Sequence, residues 1–375
     1  MNLASVDPQL ADLSNKLIYS AMAVYTLAMF AHLFEWTFGS KGAVAVRSAE
    51  QSGGLAQTLS AAAESAKSAR SVTVTVATAN GGTTTLTRTA LADAGATVVT
   101  SGRGDGVPDD GPGAAGTSEK GDLAGRIAVS LTVLGALLHA AAVFSRGMSV
   151  MRWPWGNMYE FSCAFALTMI LAYLGLLVAR RNVRWLGLPA VLAALLTLGL
   201  AVTVLYTASE QLVPALHSYW LGIHVSTAII CGGVFYAGFV VTVLYLGKES
   251  YERRIAEERP LGVFGTVWHR LPAAGSLDKL SYRINALVFP LWTFTIIAGA
   301  IWAESAWGKY WEWDPKETWS FITWVAYACY LHARATAGWR GRKAAYLALL
   351  AFACWLFNYY GVNIFVTGKH SYAGV

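Results

Sequence analysis

The chain has 375 residues, 55% of them apolar and only 13% charged, with a formal net charge of +6. So apolar a composition excludes an ordinary soluble enzyme and points to a polytopic membrane protein. The positive balance fits basic loops beside a membrane, and no basic-aromatic repeat accompanies it, so nucleic acid is not an expected partner.

Met1 to Lys16 is polar and carries Asp7 and Asp12 ahead of a single lysine. It has neither the basic start nor the small-residue cleavage site of a signal peptide, so the run after it is expected to stay as a span. Uncharged runs long enough to cross ~30 Å of hydrocarbon follow at Leu17–Phe34, Ile127–Phe144, Phe161–Val178, Trp185–Ala208, Ser218–Gly247, Ile284–Ala303, Thr318–Ala333 and Ala344–Gly368. The seventh is the shortest and needs Arg334 to snorkel to the interface. The fold class is therefore all-α and polytopic, with about eight transmembrane helices, because lipid offers the backbone no partner but itself.

Three regions follow. Residues 1–38 hold the N-terminal segment and first span. Residues 39–122 form an insertion rich in Ala, Gly, Ser and Thr, placed on the cytoplasmic side by parity. Residues 123–375 form a seven-helix core. Within the insertion, Val72, Val74 and Val76 alternate ahead of Thr83, Thr85 and Thr87, around Asn80-Gly81. That pattern predicts a β-hairpin with a two-residue type I′ turn. The stretch Gly102–Gly116 reads as a flexible linker.

Orientation comes from the short loops. Arg180, Arg181 and Arg184 follow the third run. Lys248, Arg253, Arg254, Arg259, Arg270, Lys279 and Arg283 follow the fifth, and Arg340, Arg342 and Lys343 the seventh. Alternate loops hold few basic residues, so the rich ones are expected to face the cytoplasm. Both termini then lie on the outer face, as does the segment Trp307–Trp319.

That segment packs four tryptophans and five charged side chains into thirteen residues between two apolar runs. An aromatic belt anchoring two spans is one reading. A platform for a large planar ligand is the other, since belts place one or two such rings per helix end. His224, near the outer end of the fifth run, and His370, just past the eighth, open on the same predicted face. Either alone is an ordinary polar end-residue. Together beside an indole-lined surface they suit axial ligation of a haem iron, with Lys309, Lys316 and Arg152 placed to meet its propionates. His217, two turns before His224, is left open as a hydrogen-bonding or alternative ligand.

His332 lies ~20 Å below Trp319, in the inner half of the bilayer. An ionisable residue at that depth is a functional candidate, against the alternative of a hydrogen bond to a neighbouring helix. His32 reaches a similar depth and either partners His332 or caps its own helix, the cap being preferred. His139 is expected to be packed. Asp314 and Glu317 are expected to position Lys and backbone groups at a helix start rather than act as an acid–base pair. The isolated Cys163, Cys231, Cys329 and Cys354 form no C-x-x-C pair and are expected to be buried small hydrophobes. No side chain stands out as a catalytic nucleophile.

The run Trp307–Trp319, with Trp324 and Tyr330-Leu331-His332, resembles the tryptophan-rich "WWD" segment of haem-handling membrane proteins. Here that segment spans residues 302–324. The runs Pro214–His224, Asn157-Met158-Tyr159-Glu160 and Gly361–His370 match as well. Together they point to the CcsA (ResC) family of system II cytochrome c biogenesis. The resemblance implies a holocytochrome c synthase (haem lyase) component that carries haem b (iron protoporphyrin IX) across the plasma membrane. Haem would be held outside for thioether attachment to C-x-x-C-H of apocytochrome c. It implies His224 and His370 as axial ligands, His332 at an inner haem site, and a platform of Trp307, Trp311, Trp313, Asp314, Trp319 and Trp324. Implied partners are a ResB/CcsB-type membrane subunit, apocytochrome c, the lipid bilayer and, indirectly, thiol-reducing thioredoxin-like proteins. The rival expectations are a haem exporter or loader without synthase chemistry, and a non-haem transporter or structural subunit whose Trp-rich loop binds lipid.

Overall fold

Among the described residues, eight helical rods run up and down in chain order. They are α1 (Pro8–Phe38), α2 (Glu119–Val150), α3 (Met158–Ala179), α4 (Gly187–Thr203), α5 (Tyr219–Ala256), α6 (Ala274–Trp307), α7 (Pro315–Ala335) and α8 (Arg342–Leu356). A π-turn (Phe357–Gly361) and a last helical turn (Val362–Phe365) carry α8 onward. The computed structural model describes residues 6–38, 71–77, 83–89, 119–179, 183–210, 218–260, 268 and 271–370.

Among the described residues, seven helices are long and apolar enough to cross a membrane. The chain is a multi-pass membrane protein. The exception is α7, whose composition is diluted by Lys316, Glu317, His332 and Arg334. Its ends are nonetheless pinned at opposite ends of the bundle. Asp314, just before it, is hydrogen-bonded to His370, which lies past the last helical turn, 2.9 Å away. At the other end Arg334 donates to Asp278, at the start of α6, over 2.6 Å. A helix tied at both ends this way crosses the bundle whatever its mean hydropathy.

Local chemistry sets the helix starts. The Asp7 carboxylate accepts from the N–H groups of Gln9 and Leu10 at 2.9 and 3.2 Å, ahead of Pro8. This cap satisfies donors that the first turn leaves open, so α1 begins well before the apolar run at Leu17. Helices α1 and α2 then pack through small residues, Ala21, Ala28, Ala128, Ala136 and Ala142 all being buried. Small side chains let backbones approach closely where lipid supplies no hydrophobic drive. Large apolar side chains such as Phe30, Leu137, Leu196 and Leu287 point outward.

The two ends of the bundle differ. One end gathers the starts of α1, α3, α5 and α7 with the ends of α2, α4, α6 and the π-turn region. There Glu160, buried at the start of α3, accepts from Arg146 at 2.9 Å, from Arg152 at 2.7 and 3.1 Å, and from the Gly156 N–H at 2.8 Å. Arg146 and Arg152 also donate to the carbonyls of Thr207 and Glu210. The end of α2 and two connections, α2–α3 and α4–α5, are thereby fastened to one carboxylate. Removing one partner of a buried ion pair costs about 3–5 kcal/mol. Glu160→Gln is therefore expected to lower the melting temperature of the detergent-solubilised chain sharply, and an unchanged melting curve would contradict this account. The opposite end is tied by Arg184 to Glu35 and Asp122, and by Arg342 to Glu249.

Three expectations are corrected. Strands β1 (Ser71–Ala77) and β2 (Thr83–Thr89) do pair antiparallel, but the register sets Ala77 opposite Thr83 and Ser71 opposite Thr89. That is one residue off the pairing of 77 with 84 expected of a two-residue Asn80-Gly81 loop; the turn itself, like most of the insertion, lies outside the described residues. His32 does not cap its helix. It is fully buried, its Nδ1 3.5 Å from Glu35 and its Nε2 3.4 Å from Thr132 on α2. Of the cysteines, Cys163 and Cys231 are buried as expected, but Cys329 is exposed. His139 is buried against Tyr25 as anticipated.

Candidate functional site

A cleft enclosing about 980 Å³, including its open mouth, lies at the first end of the bundle. His224 and His370 both line it, with Trp155, Trp292, Trp302 and Trp355 as the large flat surfaces and Lys316 on the wall.

His224 sits in the second turn of α5. Its Nδ1 lies 2.9 Å from the Thr295 carbonyl on α6. A carbonyl only accepts, so Nδ1 carries the proton, and in the neutral ring the lone pair is on Nε2. The ring lies nearly parallel to Trp302, centroids 6.1 Å apart. Between Thr295 and Trp302 on the same helix face comes Gly299, where an added Cβ would come within 2.7 Å of the imidazole. Positions 295, 299 and 302 thus form one stripe, with the glycine as a notch that receives the ring.

His370 reaches the cleft from the other side. Its Nδ1 is 2.9 Å from the Asp314 carboxylate, which again assigns the proton to Nδ1. The ring meets the edges of Trp302 and Trp307, at centroid distances of 5.7 and 5.0 Å. Trp302 therefore touches both imidazoles.

Asp314 organises this end. It is buried and caps α7 in a capping box, accepting from the Lys316 N–H at 3.2 Å. Glu317 reaches back to the N–H groups of Glu312 and Asp314, at 2.9 and 3.1 Å. That closure helps hold Trp313 at a φ of 60°, a left-handed conformation that is costly for a large side chain. Asp314 also accepts from the Lys369 N–H at 2.8 Å, and Lys369 pairs with Glu312. Gly368 permits the approach, since a Cβ there would fall 2.8 Å from the Asp314 carboxylate. Burial alone would raise the Asp314 carboxyl, but the donors from His370, Lys369 and Lys316 hold it below the ordinary carboxylate value.

Lys316 lines the cleft and donates to the Asn358 carbonyl at 2.8 Å. Asn358 in turn donates to Ser320 at 3.0 Å, and both line the same wall with Asn363. The π-turn carries Asn358 and Tyr359 into the cleft, and such turns recur at functional sites.

Other anticipated residues fall elsewhere. Trp311 and Trp313 pack edge to face with each other, and Trp313 is exposed. Trp319 packs on Phe357, and Trp324 donates to Thr293 at 2.9 Å beside Phe289 and Phe321. Of the tryptophans expected to form the platform, Trp307 alone is in ring contact with a cleft histidine among the described residues. Lys309 pairs with Glu312, away from the cleft lining. Arg152 is held by Glu160 and borders a neighbouring cavity. His332 is exposed on α7, about 27 Å along the helix axis from Asp314 (18 residues at 1.5 Å each). His32 packs on α2 and against Tyr173 on α3, so the two are not partners. His217 lies outside the described residues.

Of the lining indoles, Trp302 stands at the edge of the segment 302–324 but outside the expected platform, and Trp155, Trp292 and Trp355 were not anticipated. Those at 292, 302 and 355 stand inside apolar runs, where an indole reads as core; Trp155 shares a short polar connection with Trp153, its stacking partner.

A family model described as "Cytochrome C assembly protein" matches residues 155–370, a range that begins and ends on cleft residues. The chain is similar to the cytochrome c biogenesis protein CcsA of Gloeobacter violaceus, at 37% identity over 291 residues, covering 64% of this chain and 86% of that protein. It is similar also to that of Porphyra purpurea, at 34% over 277 residues (66% and 87%). The same holds for Synechococcus elongatus, at 36% over 272 residues (63% and 84%).

Proposed function

The chain belongs to the cytochrome c assembly protein family and acts in cytochrome c maturation, and from that premise we propose that its cleft holds haem b between His224 and His370 as axial ligands. The observation that carries this reading is the matched pair of imidazoles on one aromatic-walled cleft, each with Nδ1 committed to a fixed acceptor and its lone pair therefore on Nε2. Two neutral nitrogen donors flanked by flat indoles suit haem iron and its macrocycle.

Haem is here the cargo. Its vinyl groups supply the chemistry: each cysteine thiol of a C-x-x-C-H acceptor adds across one of them, the sulfur bonding to carbon and the proton going to the neighbouring carbon, with no net oxidation. The chain positions rather than attacks. His224 and His370 hold the iron, Trp302 and its neighbours wall the ring, and Lys316 with Ser320, Asn358 and Asn363 offers a polar wall for the propionates. Lys309 and Arg152 are already engaged by carboxylates and are weaker candidates for that contact.

The basic loops gather at the opposite end, which supports a reading with this end on the outer face of the plasma membrane. His332, exposed on α7 and outside this chain's own cleft lining, suits an inner site completed by a ResB/CcsB-type subunit. Thioether attachment to apocytochrome c would then be shared with that subunit.

The test is a visible spectrum of the full chain purified after haem-replete expression. A Soret band is expected, and a colourless preparation would overturn the reading. His332→Ala should cut haem occupancy of the cleft severalfold when haem is supplied by the cell. Haem added to the solubilised protein should bind as in wild type. Unchanged loading in cells would contradict a transit role for His332.

A further inference from the structure

The two cleft imidazoles are oriented by different kinds of acceptor. His224 donates Nδ1–H to a neutral backbone carbonyl, that of Thr295, whereas His370 donates to the anionic carboxylate of Asp314, both at 2.9 Å. This difference rests on geometry at both ends. Thr295 is held within α6, and Asp314 is locked by its role as the α7 cap and by the N–H groups of Lys316 and Lys369.

Resting on the haem reading above, we propose that Asp314 is a positioning residue that makes His370 the stronger and more anionic of two unequal axial donors. Charge-assisted hydrogen bonds are roughly twice as strong as neutral ones. A carboxylate behind a ligating histidine fixes its tautomer and raises its basicity through the ring. Electron density drawn from Asp314 toward the His370 Nε2 stabilises iron(III) over iron(II), while the carbonyl behind His224 does so less. The ligand that yields more readily to an incoming histidine is then His224. The aspartate that closes the tryptophan-rich loop thus tunes the iron as well as capping a helix.

The structure also explains why this carboxylate is suited to the task. Both of its oxygens are occupied: Oδ1 by the Lys369 N–H, Oδ2 by the Lys316 N–H and by His370. It cannot rotate away from the imidazole without uncapping α7. The distance between Asp314 and His370 is therefore set by the fold rather than by a free side chain.

Asp314→Asn is the direct test, because asparagine still caps a helix and still accepts from Nδ1–H but carries no charge. In the purified full chain, redox titration of the haem bands is expected to show a midpoint potential higher by about 59 mV. That figure is a tenfold loss of iron(III) preference for a one-electron couple. An unchanged potential with haem bound overturns the proposal.

A second measurement leaves Asp314 intact. In the reduced single-histidine forms His224→Gly and His370→Gly, the iron–imidazole stretching frequency is read by resonance Raman. The form that retains His370 is expected to show the higher frequency; equal frequencies, or the reverse order, overturn the proposal even if Asp314→Asn fails to fold. A wild-type chain with no Soret band removes the haem reading itself, an outcome distinct from either of these.

Discussion

His224→Gly and His370→Gly are each expected to strip most of the haem absorption from the purified chain, and added imidazole to return part of it. Loss of one axial bond is expected to weaken haem retention on the order of a hundredfold, about 2.8 kcal/mol at 1.4 kcal/mol per decade. The two variants leave different holes. Removing the His224 ring opens a space bounded by Gly299, Trp302 and the Thr295 carbonyl, so free imidazole can enter and donate to the same acceptor. Removing the His370 ring also releases Asp314 from one of its donors and loosens the tail from the loop. Rescue should therefore be fuller for His224→Gly. The measurement is Soret absorbance against imidazole concentration, with cytochrome c maturation in cells as a parallel readout. Retention of a wild-type spectrum by either variant would remove that histidine from the ligand set.

Much of the architecture is legible in the sequence. Runs free of charge mark the rods, and the alternation of basic loops assigns the ends of the helices to two faces. In the bundle His224 and His370 line one cleft, and Trp307 of the tryptophan-rich loop meets the His370 ring. Two kinds of information were not legible. The first is partnership across distance: Asp314 reads locally as a helix cap, and nothing in thirteen residues announces that its carboxylate faces a histidine 56 positions later. Likewise Arg152 looks like a free cation until the fold delivers it to Glu160. The second is the identity of the wall. An indole inside an apolar run has the same sequence signature whether it packs in a core or lines a cleft, so Trp292 and Trp355 gave no signal. The conspicuous tryptophans of the loop instead pack largely on one another and on the ends of neighbouring helices, where an aromatic belt would also place them. Helix α7 fails a hydropathy criterion because its first turn is built for capping and for the cleft, and its last turn for an ion pair.

The glycine at position 299 gives the sharpest separation of site from scaffold. A methyl group there would lie 2.7 Å from two atoms of the His224 ring, closer than side chains pack. The ring has little room to retreat, because Trp302 lies over it one turn further along α6 and the Thr295 carbonyl holds its Nδ1. In Gly299→Ala the imidazole must swing off that acceptor, losing both its tautomer and its aim into the cleft. Disturbing a partner that orients a ligand typically costs 10–100-fold in affinity, and haem retention is expected to fall by about that factor. The scaffold should respond in the opposite sense. Alanine is favoured over glycine in a helix interior by about 1 kcal/mol, so α6 itself is stabilised and the melting temperature of the haem-free chain should hold or rise. Haem titration and thermal melting of one variant therefore point in opposite directions if the notch serves the histidine. A chain that binds haem like wild type, or that loses haem only because it unfolds, would show that Gly299 serves helix packing alone.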